Sequence, residues 1–367
     1  MKNLFTFIVA LFMATSVYAQ QTYKSFTETT VWSTNETNVQ TAINEGWASA
    51  GTQITAASKR TGNVDPKTDK KVEIYKEVGI TLKNGNKKKT LTLYVKNISY
   101  LKAYAVTTST TETRVLKVTA TPTEGNSVVA SSVTVPGSSA VASLILDPAK
   151  EYTVVFDGYN SDVSAGADIA LHGVKFIPSS SSSSSVTIGD AGFATHASTF
   201  AVDYSNRGDG LEAYSVKYDS SSKELTYTKI EGVVEAGKAV ILKGKGNYIL
   251  EASSETATVT ETGLKASDGS IKGAKNIYCL ANKNNVVGFY QVAPEVTIPA
   301  NKAYLEINAA NSAKYYSIGI GGNTTGIQAI QQNGVKADGI MYSLSGQRVG
   351  KDYKGIVICN GKKMIKK

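Results

Sequence analysis

Cysteine, histidine and tryptophan are scarce in this 367-residue chain, with two of each. Two cysteines are too few for the disulfide framework of small secreted domains, and no cysteine or histidine spacing fits a zinc site. Cys279 and Cys359 fall in different predicted domains, which favours two free thiols and leaves a disulfide open. The chain also has no Gly-x-Ser-x-Gly elbow and no zinc-protease helix motif. The sequence therefore predicts no catalytic residues.

Long hydrophobic runs are also absent, except at the N-terminus. Lys2 precedes an apolar run at 4–13, and Val17-Tyr18-Ala19 supplies the small-residue pattern that signal peptidase accepts. The run is shorter than the roughly 20 residues that a membrane-spanning helix needs. The sequence predicts a signal peptide over 1–19, cleavage after Ala19, no transmembrane segment, and a secreted or outer-surface location.

Charged residues are few, and basic residues outnumber acidic ones. Charged residues form 19% of the chain and the formal net charge is +9. The lysines are scattered apart from the C-terminal tail and Lys87-Lys88-Lys89. The latter follow Asn84-Gly85-Asn86, a hairpin-turn signal. The basic run is therefore interpreted as a solvated loop, and no nucleic-acid partner is predicted.

The composition, rich in Thr, Ser, Gly, Val and Tyr, is typical of an all-β protein. The strand at 90–96 alternates Leu91, Leu93 and Val95 on one face with polar residues on the other. A second run, 71–82, is predicted to turn Ile74 inward together with Ile80. Pro178 and seven serines at 179–185 predict a flexible linker.

The predicted organisation has five parts. These are a signal peptide (1–19), a jelly-roll β-sandwich (20–178), the serine linker (179–185), a second β-sandwich or barrel (186–322) and a small C-terminal β module (323–367). An internal echo lies in the second β domain, where 234–242 and 298–306 share an apolar residue, Ala, Lys-Ala and an apolar strand, 64 positions apart. Each copy is predicted to be a turn that leads into a core strand.

Three segments resemble known modules. The strands at 90–97, 114–120, 150–158 and 168–178 resemble the noncatalytic jelly-roll modules of secreted bacterial polysaccharide-degrading proteins. Such modules bind sugar through aromatic side chains, so the resemblance implies a carbohydrate-binding domain. The segment 186–205 resembles the opening of a small β module of secreted bacteroidete proteins.

The C-terminus resembles the sorting-type module of type IX secretion cargo. The resemblance rests on Gly326-Ile327, on Tyr342-Ser-Leu-Ser-Gly-Gln-Arg-Val349 and on a terminal hairpin around Asn360-Gly361. It implies the export machinery as a partner.

Aromatic residues of the N-terminal domain are the predicted carbohydrate-binding groups, because a rigid aromatic ring can stack on a sugar ring at low entropic cost. The alternative is that the tryptophans anchor the core of the sandwich. The residues in question are Trp32, Trp47, Tyr94, Tyr100 and Tyr104.

One acidic loop is a possible calcium site. Asp157, Asn160, Asp162 and Asp168 carry the hard oxygen donors that calcium prefers, although their spacing is not that of an EF-hand. Turn formation by Asp, Asn, Ser and Gly explains the same residues without a metal.

The sequence supports three functional hypotheses. The first is a noncatalytic surface protein that binds a polysaccharide or surface glycan weakly. The second is a structural or adhesive protein that contacts other surface proteins or matrix. The third is a polysaccharide-degrading enzyme, since the sequence does not show how its carboxylates are arranged in space.

Overall fold

The computed structural model describes residues 22–53, 62–75, 79–309 and 312–320, together with the C-terminal strand segments 341–343, 348–349, 355–359 and 362–366. Their regular secondary structure is β-strand apart from one short helix, which confirms the all-β prediction. The chain divides into two compact units, Met1–Gly322 (the main unit) and Asn323–Lys367 (the C-terminal unit). The signal peptide, Gly326-Ile327 and Asn360-Gly361 lie outside the described residues.

The first part of the main unit is a sandwich of two mainly antiparallel sheets. One sheet has the order β1-β7-β12-β9-β10 with β3 beside β7, and the other has the order β11-β8-β13-β2 with β6 beside β13. The strands are β1 (Lys24–Ser25), β2 (Thr30–Ser33), β3 (Ala48–Ala50), β4 (Gly62–Val64), β5 (Lys71–Tyr75), β6 (Ile80–Leu82), β7 (Leu91–Lys96), β8 (Tyr100–Thr107), β9 (Arg114–Pro122), β10 (Val128–Thr134), β11 (Ser139–Ile145), β12 (Glu151–Asn160) and β13 (Ile169–Ile177). The inward side chains of both sheets form one continuous apolar core.

A helix, α1 (Glu36–Asn44), lies between the two tryptophans. The Asn35 side chain accepts a hydrogen bond from the backbone N–H of Asn38 at 2.9 Å, which caps the helix start. Val39 and Ala42 are buried in the sandwich core, so the helix packs against it.

The alternation predicted for β7 is confirmed. Leu91, Leu93 and Val95 are fully buried, because one face of this strand lies on the core while the other faces outward. The prediction for 71–82 is wrong at Ile74, which is 51% exposed in β5, a strand that pairs with β4 outside the two main sheets.

Strand β8 is covered on both faces. Leu101, Ala103 and Ala105 point into the sandwich core. Lys102 and Tyr104 point the other way and are also fully buried, because the second part of the main unit packs over this sheet.

The second part of the main unit begins inside the serine tract. Ser183–Ser185 belong to β14 and pair with Glu251–Ile249 of β21, so the prediction of a flexible linker is wrong for these serines. Backbone pairing satisfies their polar groups, which a linker would leave to solvent. The strands are β14 (Ser183–Ile188), β15 (Phe193–Ala197), β16 (Val202–Asp203), β17 (Glu212–Asp219), β18 (Glu224–Lys229), β19 (Val233–Val234), β20 (Ala239–Lys243), β21 (Gly246–Glu251), β22 (Lys265–Ala266), β23 (Ile277–Lys283), β24 (Val286–Gln291), β25 (Ala303–Glu306) and β26 (Tyr315–Ser317).

The internal echo corresponds to a structural repeat. Copy 1 is the sheet β15-β20-β17-β18, and copy 2 is the sheet β22-β25-β23-β24-β26. Tyr214 pairs with Ile241 in copy 1, and Tyr278 pairs with Leu305 in copy 2, with both members 64 positions further along the chain. Both predicted turn-and-strand segments are observed: a turn with positive φ at Gly237 precedes β20, and one at Asn301 precedes β25.

The C-terminal unit is a small antiparallel sheet of the order β28-β27-β29-β30. Its strands are β27 (Met341–Ser343), β28 (Arg348–Val349), β29 (Gly355–Cys359) and β30 (Lys362–Lys366). Cys359 pairs with Lys362, so β29 and β30 form the predicted terminal hairpin.

Candidate functional site

Both tryptophans are part of the first core. Trp47 is 5% exposed, and its indole N–H donates to Glu45 Oε2 at 2.7 Å. Trp32 is half-buried, with its ring centroid 5.0 Å from that of Trp47. Phe26 packs edge-on against Trp47 and stacks on Phe176 at 4.2 Å. Trp47 is therefore an anchor of the core, as the alternative prediction has it, and the ring of Trp32 packs in the same cluster.

The three predicted tyrosines do not form a common platform. Tyr104 is fully buried and cannot stack on a ligand; its hydroxyl donates to Asp69. Tyr94 is half-buried on the outer face of β7, where its ring meets Tyr23 edge-on at 6.0 Å. Tyr100 is half-buried at the start of β8, in the opposite sheet.

The acidic loop after β12 is held by turn hydrogen bonds. Asp162 Oδ1 accepts from the Ser164 N–H at 2.9 Å and from its hydroxyl at 2.6 Å, and these bonds lower the pKa of the Asp162 carboxyl. Asn160 accepts from the Ala165 N–H. Asp168 accepts from Lys89 at 3.0 Å, and Asp157 lies on β12 opposite Lys117. Among the described residues no group of three or more His, Cys, Asp or Glu side chains could hold a metal ion.

A buried charge cluster joins the two parts of the main unit. Asp69 Oδ2 accepts from the ammonium groups of Lys102 and Lys175, both at 2.9 Å. Glu251 Oε1, from the second part, accepts from Lys175 at 3.0 Å. The two ammonium groups and the nearby guanidinium of Arg207 hold the pKa of Asp69 far below its usual range, although burial opposes them. The cluster is structural, since its charges are paired with one another.

One contact has the residue types of a nucleophile and its base. Ser184 Oγ lies 3.4 Å from His196 Nε2. Burial, aided by the charge of Lys302, lowers the pKa of His196 to about 4. A base so weak, beside a cation that opposes the imidazolium, is poorly suited to activate serine. His196 lies on β15.

A groove of about 480 Å³ with a largely apolar lining lies on copy 2, and its size is within the range of small-ligand sites. It is lined by Cys279 and Ala281 of β23, by the segment 296–299, and by Lys302 and Ala303. Tyr290, Gln291 and Lys283 also line it. Burial raises the pKa of the Cys279 thiol to about 11, so this thiol is protonated at neutral pH.

An aromatic row borders this groove. Cys279 pairs with Tyr290, and Tyr290 pairs with Tyr315, so the three residues lie in line across β23, β24 and β26. The two half-buried tyrosine rings stack with centroids 4.7 Å apart and planes 29° apart. Gly288 permits this arrangement, because a Cβ there would lie 2.4 Å from Tyr315 Cε2. The ammonium of Lys283 lies 4.7 Å from the centroid of the Tyr290 ring.

Copy 1 lacks this row. The residues that match Cys279 and Tyr290 in the repeat are Ser215 and Thr228, which pair with each other in the same way. Strand β26, which supplies Tyr315, pairs with β24 and has no counterpart in the sheet of copy 1. The aromatic row is thus an elaboration of copy 2 that the shared fold does not require.

Comparison with known proteins adds no assignment. No family model matches this chain, and no curated protein is similar to it. No helix among the described residues has the length and apolarity needed to cross a membrane.

The groove is not among the sites predicted from the sequence. The predicted carbohydrate-binding residues all lie in the N-terminal domain, and the 64-residue repeat predicted only turns and strands. Aligning the two copies at that offset places Tyr290 on Thr226, and the strand register matches it with Thr228, so copy 1 carries a threonine in either alignment.

Proposed function

We propose that this chain is a secreted or surface-displayed noncatalytic protein that binds polysaccharide weakly, and that the groove of copy 2 is its binding site. The observation that carries the proposal is that Cys279 and Tyr290 line the groove side by side, while Tyr315 stacks on the Tyr290 ring at its border. Sugar rings have apolar faces that pack on aromatic rings, while their hydroxyls need polar partners at the rim. Gln291 and Lys302 supply such partners. The resemblances to secreted modules and to the type IX sorting module support export.

The repeat offers a matched test. The purified protein is run in gels that contain one of a panel of soluble polysaccharides, and retardation gives a dissociation constant. We expect retardation by at least one polysaccharide and a roughly tenfold loss of affinity in Tyr290→Ala, equivalent to about 1.4 kcal/mol. Thr228→Ala, at the matching position of copy 1, should bind like the unchanged protein. No retardation by any polysaccharide would refute the proposal.

A structural or adhesive role is the second candidate. The edge strand β10 exposes Val129 and Val133, at 48% and 59%, and the next turn exposes Val135 at 46%. Exposed apolar side chains on an edge strand favour pairing with another protein. If the polysaccharide panel is negative, a pull-down of surface proteins by the unchanged protein but not by Val133→Lys would support this role.

A further inference from the structure

The charges around the groove point to the chemistry of its ligand. Lys283 and Lys302 line the groove, and no lining residue is acidic. Glu295 belongs to the bordering loop but does not line the groove. Within the described part of the chain, neither lysine forms an ion pair, whereas many other lysines do. The groove therefore presents positive charge that no protein carboxylate neutralises.

Comparison of the copies shows that this charge is specific to copy 2. The counterpart of Lys302 is Lys238, which lies 3.9 Å from Glu235 and 3.7 Å from Glu261. Pro299 stands where copy 1 has Glu235, which removes one of these partners. The counterpart of Lys283 is Asp219, so the charge at this position is reversed. The same framework carries a paired cation in one copy and free cations in the other.

Lys283 also controls access to the aromatic row. Tyr315 stacks on the Tyr290 ring, and the Lys283 ammonium lies against the same ring. A ligand that stacks on Tyr290 must displace one of them, and an exposed lysine moves more easily than a ring packed over Gly288. An exposed cation–π contact is weaker than a charge-assisted hydrogen bond to a carboxylate. An anionic sugar can therefore displace Lys283 from the Tyr290 ring and pair with its ammonium group. A neutral sugar displaces the lysine without gaining this ion pair.

Resting on the proposed function, we infer that the groove selects polysaccharides built from uronic acids, with Lys283 and Lys302 pairing with their carboxylates while Tyr290 stacks on a sugar ring. The test uses the full protein and two probes with the same backbone, polygalacturonate and its fully methyl-esterified form. A sulfated polysaccharide serves as a third probe, to separate carboxylate recognition from general anion binding.

We expect polygalacturonate to bind at least tenfold more tightly than the ester. Lys283→Gln and Lys302→Gln should each weaken polygalacturonate binding about fivefold and reduce the preference for polygalacturonate over the ester. Lys238→Gln is the matched control in copy 1 and should have no effect. Binding should weaken as salt is raised, because salt screens exposed charges.

Several results would overturn the inference. Equal affinity for the two probes, with Tyr290→Ala still weakening both, would reject charge selection and leave the proposed function intact. Tighter binding of the sulfated probe would replace uronate recognition by general anion binding. An equal loss from Lys238→Gln and Lys283→Gln would indicate nonspecific attraction to the basic protein. Failure of every probe to bind, whatever the residue at position 290, would reject the proposed function itself.

Discussion

The buried cluster around Asp69 leads to the sharpest stability prediction. Asp69 accepts hydrogen bonds from Lys102, Lys175 and Tyr104, of which Lys102 and Tyr104 are fully buried. Asp69→Asn leaves two buried ammonium groups with Glu251 as their remaining carboxylate. Removing one partner of a buried ion pair costs about 3–5 kcal/mol. We expect a loss of that size in the free energy of unfolding.

This loss is measured by urea denaturation at pH 7 with tryptophan fluorescence as the signal. Trp32 and Trp47 both lie in the first sandwich, so their fluorescence reports its unfolding. The control is Glu151→Gln, which removes an exposed ion pair with Lys96 and should cost less than about 1 kcal/mol. A loss below about 1 kcal/mol for Asp69→Asn would refute the view that Asp69 is the main partner of the two buried ammonium groups.

The pH dependence of the same variant follows from the pKa shift. The pKa of Asp69 is lowered in the folded protein, so its contribution to stability is complete above the unfolded pKa of about 4 and falls as the pH drops below that value. The difference between the unchanged protein and Asp69→Asn should therefore be constant from pH 7 to pH 5 and should shrink in stronger acid. If the difference in unfolding free energy between the two proteins already shrank between pH 7 and pH 5, the lowered pKa of Asp69 would be contradicted.

Three further predictions concern the main unit. Burial lowers the pKa of His172 to about 4. The free energy of unfolding should therefore fall by up to about 3 kcal/mol as the pH drops from 6.5 to 4. Urea titrations should show a smaller fall in His172→Gln. Gly263 has φ of +76° and a Cβ there would lie 1.7 Å from a backbone oxygen, so Gly263→Ala should lower the melting temperature far more than Gly85→Ala, where φ is +74° and the space is open. Trp47→Ala should cost about 3–5 kcal/mol in unfolding experiments and Tyr94→Ala under about 1 kcal/mol, because Trp47 is buried and Tyr94 is half-buried on the outer face of β7. Neither change should alter the retardation by polysaccharide. If a folded Tyr94→Ala variant lost retardation, the binding site would instead lie on the first sandwich.

The strands that sequence reasoning predicts well are those with one covered face. In β7 the period-two pattern follows directly from a core on one side and solvent on the other. In β8 the same reasoning fails, because Lys102 and Tyr104 are polar side chains that a second packing partner buries. Nothing local to these residues distinguishes a solvent-facing lysine from one paired with a distant Asp69.

Composition was misleading in the serine tract for a related reason. Seven serines bury little and predict a linker, but Ser183–Ser185 obtain a pairing partner in β21, which lies more than 60 positions later in the chain. The repeat shows the opposite case. The matching segments at 234–242 and 298–306 are visible in the sequence, and they mark strands that occupy equivalent places in two sheets.

The central claim is that polysaccharide binds in the groove of copy 2, and Cys279, which lines this groove, provides a reporter of binding. The measurement is the rate at which iodoacetamide alkylates Cys279 at pH 9, followed by peptide mass spectrometry so that Cys359 is read separately. With saturating polygalacturonate, the account predicts a several-fold slower rate at Cys279 and an unchanged rate at Cys359. An unchanged rate at Cys279, under conditions in which gel retardation shows the protein to be bound, would contradict it.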